Sequence, residues 1–324
     1  MARVLVTGAA GMIGSHLIGH LADAPPGDVL AAVFPAAAPL PPGPHATLPL
    51  DVRDAAAVRD CIAGHRPDVI YHLAAQSLPT VSWADPHTTL DTNIQGTVNV
   101  FEAVWQLRQT HDAGYDPMVV VACSSAEYGA SLTQAPLPID EAAPLLPLHP
   151  YGVSKVAQDL LAFQYWQNRR IRCIRARLFN TTGPRKRDDV VSDFAARVAR
   201  LRAAGGGALR VGNLDARRAI LDVRDTIAAL RLLAAHGAPG EAYNISADAA
   251  WRIGDLVPLF ARLAGITLTV LPDPALFRPS DEAVILGRTD KLQQRTGWRP
   301  AIALEATLRA VLEHEVAHLG AAPA

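Results

Sequence analysis

Tyr151 and Lys155 lie four residues apart in Tyr151-Gly152-Val153-Ser154-Lys155. On a helix that spacing puts both side chains on one face. An ammonium beside a phenol stabilises phenolate, so Lys155 is expected to depress the pKa of Tyr151 toward the working range of a general acid or base. Alone, the pattern arises often by chance. It gains weight from Thr7-Gly8-Ala9-Ala10-Gly11-Met12-Ile13-Gly14 near the start of the sequence. There the first glycine permits a tight turn and the second lets a pyrophosphate approach the backbone. The third allows a following helix, with its free N–H groups and positive dipole, to pack on the preceding strand. Two hydroxyls, Ser124 and Ser125, follow the apolar run Met118–Ala122. The C-terminal end of such a strand is where open α/β sheets carry their sites.

The elements that must position these groups are legible as patterns. Arg3–Val6, Val29–Phe34, Asp68–Leu73 and Met118–Ala122 are short apolar runs of the kind that form buried parallel strands. Ile13, Leu17, Ile18 and Leu21 follow the glycine loop at helical spacing, and Thr97–Leu107 has helical periodicity. Strands alternating with helices predict an α/β fold, a Rossmann-type doubly wound parallel sheet. Residues 35–44 (PAAAPLPPGP) are predicted to be a loop, since proline at that density cannot form a helix. Helices are expected near Val191–Arg202, Thr226–Ala235, Ile253–Ala264 and Leu304–Leu319, with the chain returning to the sheet near Asp222–Ser246. The division expected is a cofactor domain from 1–180 plus about 219–248, and a smaller α/β substrate domain from about 181–218 plus 249–324.

Half of the 324 residues are hydrophobic and 19% are charged, with 30 Lys and Arg against 31 Asp and Glu for a net charge of -1. That composition excludes a disordered chain and gives no bulk basic surface for nucleic acid or an anionic membrane. Cys61, Cys123 and Cys173 are spaced too widely for a disulfide framework or a zinc knuckle. They read as three buried thiols in a reducing cytoplasm, and no metal site is expected. The absence of a signal-peptide core, or of an apolar run of about 18 residues, predicts a soluble cytoplasmic protein.

The GxxGxxG loop, Asp51-Val52, and His72-Leu73-Ala74-Ala75 after a strand together resemble the short-chain dehydrogenase/reductase superfamily. Chain length and Ala74-Ala75-Gln76 point to its extended branch, the NAD-dependent epimerase/dehydratase family, which modifies nucleotide sugars. The resemblance implies that Gly8, Gly11, Met12, Ile13, Gly14, Asp51, Val52, Leu73, Ala74 and Ala75, with Tyr151 and Lys155, hold NAD or NADP. It selects Ser124, four residues before Tyr128, as the catalytic hydroxyl beside Tyr151 and Lys155. Asn93 matches a structural residue that steadies the active-site helix. A strand-end acid would bond the ribose of NAD, whereas a nearby arginine would suit NADP. Val33-Phe34-Pro35 offers neither, and because nothing repels a 2′-phosphate NADPH is favoured, with NAD left open. The family also implies a homodimer through the helices at Thr97–Leu107 and Val153–Gln167, which carry Val100, Trp105, Phe163 and Trp166.

Three later segments narrow the branch. Arg177-Leu178-Phe179-Asn180-Thr181-Thr182-Gly183-Pro184 resembles a segment whose Asn faces the substrate diphosphate. Val211–Arg218, Arg278-Pro279-Ser280-Asp281-Glu282 and Thr296-Gly297-Trp298-Arg299-Pro300 are similar to GDP-mannose 4,6-dehydratases and GDP-4-keto-6-deoxy-D-mannose reductases. The similarity implies Ser125, Ala126 and Asn180 against a GDP-sugar, Arg218 and Arg278 on its diphosphate, and Asp281 on the nucleotide ribose. Two guanidinium groups suit a pyrophosphate. Two departures stand out. Ala126 occupies the place where dehydratases carry the Glu that removes the C5 proton, and a one-residue shift would re-aim Glu127. Ala219 and Ile220 replace an Asp and an aromatic. Losing the base while keeping Ser124, Tyr151 and Lys155 fits an NAD(P)H-dependent reductase of a GDP-4-keto-6-deoxyhexose, with GDP-D-rhamnose as first-choice product. A 4-epimerase, a dehydratase, and a Rossmann protein that only senses the cofactor are the alternatives.

Overall fold

The computed structural model describes residues 2–321 apart from 23, 24, 26, 36, 38, 39, 41, 111 and 277–281. Seven strands form one sheet: β1 Val4–Thr7, β2 Val29–Val33, β3 Ala46–Pro49, β4 Val69–His72, β5 Met118–Ser124, β6 Cys173–Leu178 and β7 Ala242–Ile245. Their order is β7-β6-β5-β4-β1-β2-β3 and every pairing is parallel, so all C-terminal ends share one edge. The helices of nine residues or more among the described residues are α1 Met12–His20, α2 Ala55–His65, α3 Gly96–Thr110, α4 Pro150–Arg169, α5 Val190–Ala203, α6 Val223–His236, α7 Ile253–Ala264 and α8 Leu304–Ala321.

The period of two along each strand divides the core. Val4, Val6 and Val120 point to the face covered by Leu17 and Ile18 of α1 and Leu230 of α6. Leu5, Val119 and Val121 point to the other, against Ile62 of α2, Val104 of α3 and Tyr165 of α4. Both faces are covered, which is why these strands read as uninterrupted apolar runs. Phe101 of α3 stacks on Tyr165 of α4 with centroids 4.7 Å apart. A third apolar cluster gathers Phe194 and Val198 of α5, Phe260 of α7, and Leu308 and Leu312 of α8. The expected return to the sheet is β7, which pairs with β6. Trp298, from the Gly-Trp-Arg-Pro segment, is buried in the first cluster and donates its indole N–H to the Asp225 carbonyl at 3.0 Å.

Several expectations change. The half-buried strand β3 and helix α2 carried no pattern strong enough to be read. Val100 is fully buried inside the chain, so it offers no surface to a partner. Cys61 is only partly buried, while Cys123 and Cys173 are buried; all three are free. Among the described residues, no helix is long and apolar enough to cross a membrane.

Candidate active site

The parallel register brings Gly8, Leu73, Ser124 and Asn180, each at or just beyond a strand end, to one edge of the sheet. Gly8 takes φ +68°, and a Cβ there would lie 2.7 Å from backbone atoms of Ala74. The loop after β1 thus presses on Leu73-Ala74-Ala75, and only glycine fits. Helix α1 starts at Met12 with Gly11 as its N-cap and no side-chain cap, so its first N–H groups stay free for an anion. Gly8, Gly11, Met12 and Ile13 keep some exposure along this edge, as do Leu73, Ala74 and Ala75, whereas Gly14 is buried under the loop. A cofactor diphosphate fits this cradle.

Beyond β3, Asp51 forks onto its own neighbour: its carboxylate accepts from Arg53 at 2.7 to 3.1 Å. That pairing holds the Asp51 pKa below the usual carboxylate range. Val52 is buried against Gly96. The Arg53 guanidinium lies 5.8 Å from the centroid of the Phe34 ring, at the end of β2. Sequence inspection of β2 alone missed this arginine, because it arrives from 19 positions away across the β2–β3 pair.

Pro150 at the first position and His149 as N-cap start α4; the His149 Nδ1 accepts the Gly152 N–H at 3.0 Å. A Cβ on Gly152 would lie 2.7 Å from the Ala126 carbonyl oxygen, so glycine lets α4 approach the turn after β5. This approach brings Tyr151 to Ser124, whose hydroxyl lies near enough to the phenol to favour its ionised form. Burial outweighs that effect, and Glu127 and Cys123 add to it, pushing Tyr151 up to about 12. The expected depression by Lys155 is therefore not found. The Lys155 Nζ donates to the Ala122 carbonyl at 2.8 Å and stands 5.7 Å from the Tyr151 ring centroid. Burial lowers Lys155 to about 8.

The helix is anchored from beneath. Asn93 donates to the Gln76 carbonyl at 2.9 Å and to Ser154 Oγ of α4 at 2.8 Å, and accepts the Gln76 N–H at 2.8 Å. His72 bridges Thr7 and Thr97 at 2.9 and 3.0 Å, and burial lowers it to about 3, so it stays neutral. In the turn after β5, Ser124 and Ser125 are buried, and Ala126 is the one residue of 123–129 that keeps partial exposure. Glu127 is fully buried, and its Oε1 accepts the Ser124 N–H at 2.7 Å.

Of the residues expected to meet a sugar nucleotide, the structure brings together fewer. Asn180, just after β6, is partly exposed, yet its Oδ1 is a buried atom without a hydrogen-bond partner. Arg218 is buried on the short strand Arg217–Arg218 and donates to the carbonyls of Arg217 and Glu282 at 2.9 and 2.7 Å. Arg278 and Asp281 lie outside the described residues. Ala219 and Ile220 are buried, where larger polar or aromatic groups would crowd the core. Arg185, not singled out in the sequence, takes φ +70° and donates to the Ala10 carbonyl of the glycine loop at 3.4 Å. Its one sequence signal is its place after Gly183-Pro184.

The family model described as GDP-mannose 4,6 dehydratase matches residues 5–311. GDP-6-deoxy-D-mannose reductase of Pseudomonas aeruginosa is 33% identical over 312 residues, 96% of each chain. The solved structure of RMD from Pseudomonas aeruginosa complexed with NADPH superposes with a TM-score of 0.83 at 30% identity, covering 98% of this chain and 100% of that one. UDP-glucose 4-epimerase of Thermus thermophilus, complexed with NAD, gives a TM-score of 0.82 at 27% identity over 97% of this chain and 98% of its own. With the doubly wound sheet, the glycine cradle and the Ser124–Tyr151–Lys155 cluster already in place, the match over nearly the whole length makes this chain a member of the GDP-mannose 4,6-dehydratase family.

Proposed function

We propose that this protein is an NAD(P)-dependent oxidoreductase that reduces the C4 ketone of a GDP-4-keto-6-deoxyhexose, with GDP-D-rhamnose as first-choice product. The observation that carries this reading is the turn after β5. Ala126 keeps partial exposure and its methyl cannot remove a proton, while the Glu127 carboxyl is fully buried and accepts the Ser124 N–H. Elimination of water therefore lacks its base, whereas protonation of an alkoxide keeps its acid, Tyr151. Tyr151, with a pKa of about 12, holds its proton at neutral pH, as the acid of a reduction must. The relative named GDP-6-deoxy-D-mannose reductase supports the choice of a GDP-sugar.

The glycine cradle would hold the diphosphate of a reduced nicotinamide cofactor, which when bound would supply the hydride for the C4 carbon. Tyr151 gives its proton to the C4 oxygen, and Ser124 donates a hydrogen bond to the same oxygen. Lys155, 5.7 Å from the Tyr151 ring centroid, would hold the nicotinamide ribose beside the phenol. Gly8, Gly11–Gly14, Asp51, Val52 and Leu73–Ala75 line the cofactor's course; Ser125, Ala126, Asn180 and Arg218, with Arg278 and Asp281, serve the sugar nucleotide. Arg53 above Phe34 favours NADPH, since its guanidinium can meet a 2′-phosphate near the end of β2. The ratio of kcat/KM for NADPH and NADH in Arg53→Ala tests that preference.

A cofactor domain at 1–180 plus about 219–248 and a sugar domain at about 181–218 plus 249–324 are supported by separate apolar clusters, with Leu292 and Trp298 packing in the first and Ile220 in the third. Val153, Leu160 and Phe163 are 48%, 52% and 40% exposed along α4, and Trp83 nearby is 65% exposed. This unpartnered stripe supports a homodimer, which Leu160→Glu is expected to disrupt, as read by sedimentation. Unpaired cysteines suit a reducing cytoplasm.

The deciding experiment supplies purified protein with GDP-4-keto-6-deoxymannose and NADPH or NADH. Stoichiometric loss of reduced nicotinamide with formation of the 6-deoxyhexose is expected. Interconversion of hexose nucleotides with no net oxidation would instead identify an epimerase, and release of water from GDP-mannose a dehydratase.

A further inference from the structure

Behind the cleft, four charged side chains from three elements meet out of water. Arg177 of β6 donates to Asp159 of α4 at 2.9 Å and stands 3.4 Å from Glu127 Oε2. Arg175 donates to the other Asp159 oxygen at 2.6 Å. Glu127 and Asp159 are both fully buried. The mechanism above uses none of them. Cys123 Sγ and the two carboxyl groups fall within 4.8 Å of one another, a spacing that could suit a metal, but the Arg177 guanidinium already supplies the positive charge there.

Glu127 is the member that reaches the site. Its Oε1 accepts the Ser124 N–H at 2.7 Å, and Ser124 Oγ accepts the Ala126 N–H at 3.2 Å, closing a reciprocal cap on the turn. Asp159 lies four residues beyond Lys155, so the same network grips the helix that carries Tyr151 and Lys155. We propose that Glu127 is a positioning residue for the reduction: its buried carboxyl holds the Ser124 N–H through Oε1 and packs its other oxygen, which makes no hydrogen bond, 3.4 Å from Arg177 of β6, and so sets the Ser124 hydroxyl relative to Tyr151. The proposal rests on the reductase reading above for its effect on turnover.

The electrostatics agree with this geometry. Glu127 faces Cys123 and Ser124 on β5, Lys155 and Asp159 on α4, and Arg177 on β6. Burial and the Asp159 charge raise its pKa well above the usual range, beyond what Arg177 offsets. In the geometry, what the Ser124 N–H needs is the acceptor at Glu127 Oε1. Glutamine preserves that acceptor; leucine keeps the bulk and removes it. Because Ser124 touches the oxygen that gains charge, displacing it would lower kcat and leave ground-state binding intact.

The test compares Glu127→Leu and Glu127→Gln with the wild type. Glu127→Leu is expected to lose about 30-fold in kcat with both KM values within about threefold, and Glu127→Gln to recover most of that loss. Hydrogen exchange at the Ser124 amide, which needs no substrate, is expected to accelerate about tenfold or more in Glu127→Leu and to stay slow in Glu127→Gln. Wild-type kcat and wild-type protection in Glu127→Leu would overturn the proposal, as would equal damage in both variants. If the wild type itself leaves the keto sugar untouched, the reductase reading fails, and the exchange measurement alone decides whether Glu127 holds Ser124.

Discussion

Lys155 donates to the Ala122 carbonyl and Asn93 makes three bonds beneath α4, whereas Asn180, on the sugar side, keeps a buried amide oxygen with no partner. An unpaired buried oxygen costs about 1–3 kcal/mol unless a ligand supplies the missing donor. The cofactor side is thus wired before anything binds, by strand ends, a helix N-terminus and buried hydrogen bonds. Asn180, just after β6, holds its amide oxygen in reserve. Arg185 spans the two, reaching from the loop after Asn180 to the Ala10 carbonyl. Buried atoms without a partner are not confined to one side, since Glu127 Oε2 and Gln158 Oε1 of α4 share that state with Asn180 Oδ1; what differs is that Asn180 is partly exposed while Glu127 and Gln158 are sealed in.

The sharpest way to break this comparison is at the phenol. Tyr151→Phe is expected to lower kcat about 1000-fold while cofactor affinity, read by quenching of tryptophan fluorescence, changes little. A folded variant with full turnover would remove Tyr151 from the mechanism. Next is Gly8→Ala, where a Cβ would meet Ala74 backbone at 2.7 Å in a left-handed conformation. Cofactor affinity should fall about 30-fold with a lower melting temperature, since neither backbone segment can yield without distorting the cradle. Unchanged affinity by titration calorimetry would mean the loop is less tightly built than described.

The pH profile probes the same side more gently. Lys155 is charged below its pKa of about 8 and neutral above it. In the reductive direction kcat/KM should be level on the acid side and fall about tenfold per pH unit above that point. Its loss on the acid side instead would show that another group governs the reaction. The smallest effect is expected on the sugar side: Asn180→Ala should raise the KM for the keto sugar about fivefold and leave that for the cofactor alone. A matching change in the cofactor KM would erase the distinction between the two halves.

Some of this was legible from residue order because it depends on local chemistry. GxxGxxG between an apolar run and a helical pattern can hardly be other than a strand, a phosphate loop and a helix. The four-residue interval of Tyr151 and Lys155 likewise survives folding, since helix geometry fixes it. Ala126 is likewise legible directly, and its methyl offers no base. Strand β3, by contrast, escaped notice because its residues alternate between partial and full exposure at a sheet edge, without an apolar run to mark them.

Residue order therefore determined the fold class, the glycine loop between strand and helix and the Tyr151–Lys155 interval, each set by neighbours within a few positions. Only the tertiary structure decided what distant residues do to one another. It placed Arg53 over Phe34 and turned Glu127 inward onto Ser124. It also raised Tyr151 where a nearby lysine had suggested the reverse. The reason is physical: spacing along a helix says which groups can meet, but burial, which no local pattern records, sets the cost of their charges.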